Sequence, residues 1–527
     1  MATLQADPAQ LCFESVRTRR LIIASYWLVV LIAVPLWWKT TSIERLALPA
    51  SRVHAQRHRE LSFPVEVNVE TGDDPNLASL ALGVQSIPVV DTKAVEGSAV
   101  DIKLYAGKRD ASYNVVLHSG NGEPVVKGRE LHFDVAPHEG RVSSKTELGR
   151  LSDTLIKLIA PYSASTNSHL QTQRVMKYSP RYRLAFTLLN EDAASGKAAM
   201  TWNVQDAIQC HLGPLLGKLS DLHNFTIESQ VQFHAPLAFQ PRPIQHDGKD
   251  AHGLTHEDLT VFINSAEWTL SSSVSNDPVI HLVLFIPSTK NSPLHILDQQ
   301  GSVHPSNAFL LPQWGGIVLL NPTSSAPIPR LTSSDLTPVF HTFAHQLLTL
   351  LGVPGLPPHV HSARRPDSEA QWEPFTDWEL DALLRRRALE NVQGSTETLE
   401  AIVRLVDQIE NMPVGQDVVG DVQEALDALN QGYESSRVSP FATLQHSARA
   451  LTLASRAFFN PGMLALLYFP AEHTYAVYTP LFASVAAPLI GAVVRELMAW
   501  KRARKAAQVE AAQERKVVEA AAIAKDS

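Results

Sequence analysis

Two stretches of this chain carry no charged side chain over roughly the length a helix needs to cross a bilayer: Leu21 to Trp38 and Tyr475 to Val494. Both are predicted to span a membrane. Lys and Arg gather at the cytosolic ends of spans. Arg17, Arg19 and Arg20 precede the first span, against Lys39 after it, while Arg495, Lys501, Arg502, Arg504 and Lys505 follow the second. Each span independently places its outer terminus in the cytosol, and the residues between them on the other side. A cleaved signal peptide is the competing reading of the first span, but its apolar run exceeds the usual h-region of about 7 to 15 residues and no A-x-A-like site follows Trp37 and Trp38.

Between the spans the period changes twice. Runs that alternate or are rich in β-formers predict strands at Phe63–Glu70, Ala99–Tyr105, Tyr113–His118, Leu131–Val135, Tyr182–Asn190, Phe225–Phe233, Leu259–Asn264, Ile280–Ile286, Pro293–Leu297 and Gly315–Leu320. Apolar spacing near 3.6 predicts helices at Asn76–Leu82, Ser144–Ile159 and Asn203–Leu222. From Ser333 the chain turns helical. Ser333 or Ser334 caps a helix through Leu350, and further helices are expected at Asp377–Val392, Thr396–Glu410, Asp417–Gln431 and Pro440–Phe459. The expected fold is an α/β domain, a mixed sheet with helices on one face and a helical C-terminal portion, held between two transmembrane helices. In outline, residues 1–20 form a cytosolic arm, 21–38 the first span, 39–474 a luminal α/β region with subdomains at about 60–175 and 180–460, 475–498 the second span, and 499–527 a cytosolic tail.

Composition adds two exclusions. With 527 residues and a formal net charge of -8, the chain is large enough for an extensive core and lacks the basic balance of a nucleic-acid binder. Cys12 and Cys210 fall on opposite sides of the membrane in this topology, so no disulfide joins them.

Candidate chemistry is sparse. Asn224-Phe225-Thr226 is an N-glycosylation sequon that the topology places where the modifying enzymes work; the competing expectation is a strand edge too buried to be reached. Ala483, Ala487 and Gly491 recur every fourth residue in the second span, a strip of small side chains that admits another helix closely; Pro480 and Pro488 suggest a bend. His341 and His345 have the i, i+4 spacing of two metal ligands, but no Glu follows His341 and no third ligand is evident, so core or surface histidines are expected. Cys210 and His211 are adjacent and point about 100° apart on a helix, which predicts a buried structural cysteine rather than a catalytic pair. Gly315-Gly316 after Trp314 is expected only to shape a strand start. No nucleophile elbow, phosphate loop or dinucleotide fingerprint is present, and no metal or cofactor is predicted.

Several blocks together resemble a known family, the S subunit of the glycosylphosphatidylinositol (GPI) transamidase, PIG-S. They are Tyr26-Trp27 with PLWWKTTSIERLALP (35–49), FINSAEW (262–268), NAF with QWGGI (307–317), DWELDALLRRRALEN (377–391), and PGMLALLYFPAEHTYAVYTPLF with PLI (461–490). The resemblance implies an endoplasmic-reticulum protein with two spans, cytosolic termini and a large luminal domain. It implies a non-catalytic subunit of the complex that replaces a C-terminal propeptide by a GPI anchor, with the chemistry in a separate cysteine-protease-like subunit, PIG-K, and with PIG-T, PIG-U and GAA-type subunits as partners. No catalytic residue carries over from the shared blocks. The other function classes considered are a membrane-anchored luminal hydrolase using His341 and His345, and a luminal adaptor outside the transamidase.

Overall fold

The computed structural model describes residues 15–41, 44–71, 77, 100–107, 111–136, 144–162, 175–270, 275–323, 326–363, 375–409, 412–464 and 471–523. In chain order the elements begin with α1 (Val16–Thr41), α2 (Ala50–Gln56), β1 (Phe63–Thr71), β2 (Val100–Ala106), β3 (Tyr113–Ser119), β4 (Val125–Lys127), β5 (Glu130–Val135) and α3 (Ser144–Ile159). There follow β6 (Arg181–Asn190), α4 (Val204–Ala207), a π-helical turn (Ile208–Leu212), α5 (Gly213–Leu219), β7 (Asn224–Gln232), β8 (Arg242–His246), β9 (Lys249–Leu254) and α6 (His256–Thr260). The remainder comprises β10 (Val279–Ile286), β11 (Leu294–Ile296), β12 (Ala308–Leu311), β13 (Gly315–Leu319), α7 (Ser333–Leu350), β14 (His361–Ser362), α8 (Asp377–Gln408), α9 (Gln416–Ser435), α10 (Pro440–Phe458), α11 (Pro461–Leu464) and α12 (Ala471–Ile523).

The chain forms two compact units, one of Ser51–Glu400 with Gln423–Ser455, the other of Met1–Ala50, Ala401–Val422 and Arg456–Ser527. The larger unit holds the sheets. In the six-stranded sheet the order is β14-β4-β5-β3-β1-β2, with β1 parallel to both β2 and β3, and β3 parallel to β5. Its strands alternate, so Val65, Val67, Val69, Val115, Leu117, Leu131 and Phe133 share one apolar face, against which Leu151, Leu155 and Leu158 of α3 and Trp378 pack. The five-stranded sheet has the order β12-β13-β10-β6-β7 and is parallel except for β12. The interior strand β6 is buried from Tyr182 to Asn190 because both faces are covered. On one face Phe186 stacks on Phe340 of α7 at 5.7 Å. On the other, Leu189, Val283, Phe285, Ile317 and Leu319 pack with Phe262 and Trp268, joined by Leu254, Leu294 and Ile296 of the small β11-β9-β8 sheet.

The predicted α/β architecture stands, with its helical C-terminal part, and several boundaries move. Leu259–Asn264 is not a strand: Thr255 and Asp258 form a capping box that starts α6, and Phe262 then anchors an irregular segment in the core. The helix after residue 332 is capped by Thr332, whose N–H and hydroxyl both donate to Asp335, rather than by Ser333 or Ser334. The two helices expected at Asp377–Val392 and Thr396–Glu410 are one, α8; Gly394 does not break it, and a Cβ there would stand 3.3 Å from Leu451 of α10, so the glycine allows that close packing. The Asn203–Leu222 helix is interrupted by the π turn. The expected Asn76–Leu82 helix lies outside the described residues except for Leu77, and Cys12 lies outside them as well.

Gly315 does more than begin a strand. A Cβ on it would lie 2.0 Å from the carbonyl oxygen of His281, its register partner on β10. Gly315→Ala is therefore expected to force β13 away from β10 and to cost about 2 kcal/mol or more, read as a lowered melting temperature; an unchanged melting temperature would contradict this account.

Candidate functional site

The block 377–391, met in the sequence as a predicted helix, forms a polar brace. Thr376 and Glu379 start α8, with the Thr376 N–H and hydroxyl donating to the Glu379 carboxylate. One turn on, Asp381 receives the Tyr113 hydroxyl at 2.7 Å and both arms of Arg129 at 3.0 Å. Arg385 donates to the Ile159 carbonyl at the end of α3 and to Tyr113 Oη. Arg387, buried to 2 % exposure, donates to the carbonyls of Met176 (3.0 Å) and Leu351 (2.9 Å) and to Glu390 (2.7 Å), while Arg386 pairs with the same Glu390 and lies over the Tyr162 ring. Burial pushes the Tyr113 phenol up to about 12, opposed by Arg385 and reinforced by Asp381. Burial alone would raise Glu390; Arg387 and Arg386 outweigh it and hold that carboxyl below its usual range. These groups thus tie α8 to the sheet at Tyr113, the end of α3 and the end of α7. Periodicity placed α8 but gave no sign that its arginines turn inward.

The predicted site residues do not converge on a catalytic arrangement. His341 and His345 are exposed on α7. His341 meets the ring of His211 edge-on at 5.2 Å, and His211 Nε2 lies 3.3 Å from Thr337 Oγ1. Among the described residues no three His, Cys, Asp or Glu side chains are placed to hold a metal ion. Cys210 is exposed, not the buried structural cysteine expected from the sequence. The inward positions of this helical stretch are Ala207 and Leu212, and the π turn leaves Cys210 facing outward.

An open α/β sheet binds ligands beyond the carboxyl ends of its strands, where the connections diverge. Here that place lies between β6 and β10, and the chain fills it itself. Asn190 is buried and bonded through its amide to Ala199 and Gln232, and Glu191 accepts the Ser288 N–H at 2.7 Å and the Asn291 amide at 2.5 Å.

Asn224 opens β7, the last strand of its sheet, and both Asn224 and Thr226 are exposed, which removes the objection that the sequon is too buried. Replacing Asn224 by glutamine is expected to abolish a glycan-dependent step in electrophoretic mobility; equal mobility of both forms after and before amidase digestion would show the sequon unused.

The smaller unit contains both apolar helices. Each is long and apolar enough to cross a membrane. Arg19 and Arg20, at the start of α1, hold Glu496 of α12 at 3.0 Å and 3.1 Å, so the first residues of one helix meet the last apolar turns of the other and the pair runs antiparallel. Half-buried Ile23, Trp27 and Val30 recur along α1, and Ala486, Leu489 and Val493 along α12. Ala483 and Ala487 are exposed and Gly491 half-buried, so most of the small-residue strip lies outside that half-buried row. In this unit Arg45 donates to the Val406 carbonyl, and Arg456 pairs with Asp421. The segments next to both apolar helices are therefore fastened to residues 406–421.

The model of the family described as phosphatidylinositol-glycan biosynthesis class S protein matches residues 24–503. The chain belongs to that family. As a PIG-S family member it is similar along nearly its whole length to curated relatives. One is the rat protein named GPI-anchor transamidase component PIGS, 27% identical with 96% of this chain and 100% of the relative covered. In Schizosaccharomyces pombe the GPI transamidase component PIG-S homolog is 27% identical, covering 92% and 85%. The Saccharomyces cerevisiae GPI transamidase component GPI17 is 24% identical, covering 86% and 87%.

Proposed function

We propose that this chain is a non-catalytic subunit of a GPI transamidase in the endoplasmic-reticulum membrane, acting in the attachment of GPI anchors to proproteins. The observation that carries the reading is the match of the class S family along residues 24–503, with relatives named as transamidase components covered over most of their length. The braced α/β body, the crevice filled by Asn190 and Glu191, and the scattered histidines suit a part that positions other proteins rather than one that performs the bond exchange. In this reading both termini are cytosolic, the body is luminal, the cysteine-protease-like chemistry sits in a PIG-K type partner, and PIG-T, PIG-U and GAA-type subunits complete the assembly. The strip at Ala483, Ala487 and Gly491, exposed at its two alanines, is the face offered to a neighbouring subunit's span.

Depletion of the protein from its own cells tests this. GPI-destined proteins should accumulate with uncleaved propeptides, and both the wild type and His341→Ala/His345→Ala should restore processing. Ala487→Leu, which fills the strip, should restore it poorly and recover less of the other subunits. Normal anchoring after depletion would sink the reading, and failure of the histidine variant at normal expression would return the hydrolase to consideration.

A further inference from the structure

Where the two apolar helices meet, the chain neutralises its own charge: Arg19 and Arg20 of α1 converge on Glu496 of α12. At 3.6 residues per turn, the half-buried Ala486, Leu489 and Val493 fall on the same half of α12 as Glu496, the half turned to α1. Arg495, Lys501, Arg502 and Lys505 fall on the opposite half, about 260°, 140°, 240° and 180° round the helix from Glu496. All four are exposed. Arg495 donates to the Gly491 carbonyl of its own helix at 3.3 Å, and among the described residues none of the four has a carboxylate at ion-pair distance.

The helix itself cannot offset them. A compensating acid would have to stand three or four residues away, and those positions hold no Asp or Glu for any of the four. Instead Lys501 and Lys505 are spaced i, i+4 and Arg502 and Lys505 i, i+3, where like charges weaken a helix. Further along, Glu510 and Glu514 return to within about 40° of Glu496, so they too lie on the other half. Position indicates what supplies the missing charge. The four cations follow Val494, the end of the uncharged stretch, within about three turns, and long basic side chains bend back to headgroup level. A leaflet holding anionic phospholipid presents phosphates at that depth, and a cluster of four or more basic residues next to a span matches it.

We infer that Arg495, Lys501, Arg502 and Lys505 form a seat for anionic phospholipid headgroups at the basic end of the helix pair. Basic flanks orient a span whatever they pair with; the seat adds a selectivity for lipid that orientation does not require. It rests on both helices crossing the membrane and not on a role in the transamidase. Extraction of membranes with alkaline carbonate reads the crossing separately, and release of the chain there would remove the spans and the seat with them. For the seat itself, full-length chain is reconstituted in phosphatidylcholine nanodiscs with phosphatidylserine as the minor lipid, and the lipids it retains on transfer to mild detergent are counted by mass spectrometry. Wild type should retain phosphatidylserine about fivefold above its share of the disc, the effect of one basic residue near an anionic surface being of that size. Lys501→Gln/Arg502→Gln/Lys505→Gln should bring the ratio close to one, Lys501→Arg/Lys505→Arg should keep it, and Lys39→Gln at the far end of α1 should leave it unchanged. The melting temperature of the glutamine variant should equal that of wild type, because the replaced side chains are exposed; should it melt early, the ratio in wild type and in the arginine and Lys39→Gln variants decides. No enrichment in wild type, which would leave the cations to an acidic protein, overturns the seat. Full enrichment in the glutamine variant, or an equal loss with Lys39→Gln, overturns it as well. Excess glycerophosphoserine should not displace the retained lipid; displacement would assign the cations to free phosphate esters and overturn the lipid seat.

Discussion

Replacing Arg387 by leucine is expected to destabilise the protein by about 3–5 kcal/mol, the range for removing one partner of a buried charged network. The guanidinium makes three separate connections: to the Met176 carbonyl, to the Leu351 carbonyl and to Glu390. Leucine leaves two buried carbonyls without donors and Glu390 with only Arg386. Lysine at the same position cannot span two carbonyls and a carboxylate with one ammonium, so it should rescue little. Arg449→Ala provides the comparison, because that side chain is 64% exposed and reaches only an exposed Glu424; it should cost no more than a few tenths of a kcal/mol. Denaturant unfolding of the purified chain reads both. If Arg387→Leu costs no more than Arg449→Ala, the brace is not what holds α8 to the rest of the body.

Acid should destabilise the protein well above the carboxylate range. Burial pushes His223 down to about 4, with a bond to Ser179 opposing and Arg387 reinforcing, and pushes His281 down to about 4 with Arg183 adding to the effect. His223 donates Nδ1–H to the Ser179 carbonyl at 2.6 Å, leaving Nε2 bare and buried; His281 stacks on Trp314 at 4.6 Å with Nδ1 buried and unpaired. Both rings are thus folded in the neutral state. Above pH 6.5 neither state binds a proton, so there is no penalty. Below it the unfolded chain takes up protons that the folded chain refuses until about pH 4. Stability is therefore present above 6.5 and lost as pH falls from 6.5 toward 4, by about 2 kcal/mol for each histidine at pH 5. His223→Asn keeps a donor toward Ser179, and His281→Phe keeps the stack on Trp314. Each should remove about half of the loss between pH 7 and pH 5, measured by urea unfolding at both values; a wild-type free energy that does not change over that interval would contradict the neutral, buried assignment.

Local pattern carried much of the fold. β1, β3, β6 and β10 were legible because alternation or a continuous apolar run follows directly from having one face or both faces covered. The β8–β9 hairpin was missed although its turn was written in the chain: Asp247 and Gly248 both take positive φ, 51° and 70°, the conformation an Asp-Gly pair favours between hairpin strands. Pro243 and the polar residues around it hid the strands themselves. For the candidate sites the residue types were visible and their surroundings were not. Cys210 and Ala207 sit on the same short helical stretch, and only the π turn decides that one is exposed and the other buried.

What the sequence determined by itself was whatever depends on neighbours along the chain: two apolar helices with their flanking basic residues, the strand and helix types, and the family, whose blocks recur in order. Tertiary structure alone decided which charges lie inside. Arg387 is one of three consecutive arginines in a helix, and no local rule distinguishes it from Arg386. It is buried because Met176 and Leu351, far away in the chain, bring unpaired carbonyls to that point, and a buried charge is tolerable only where such partners meet it.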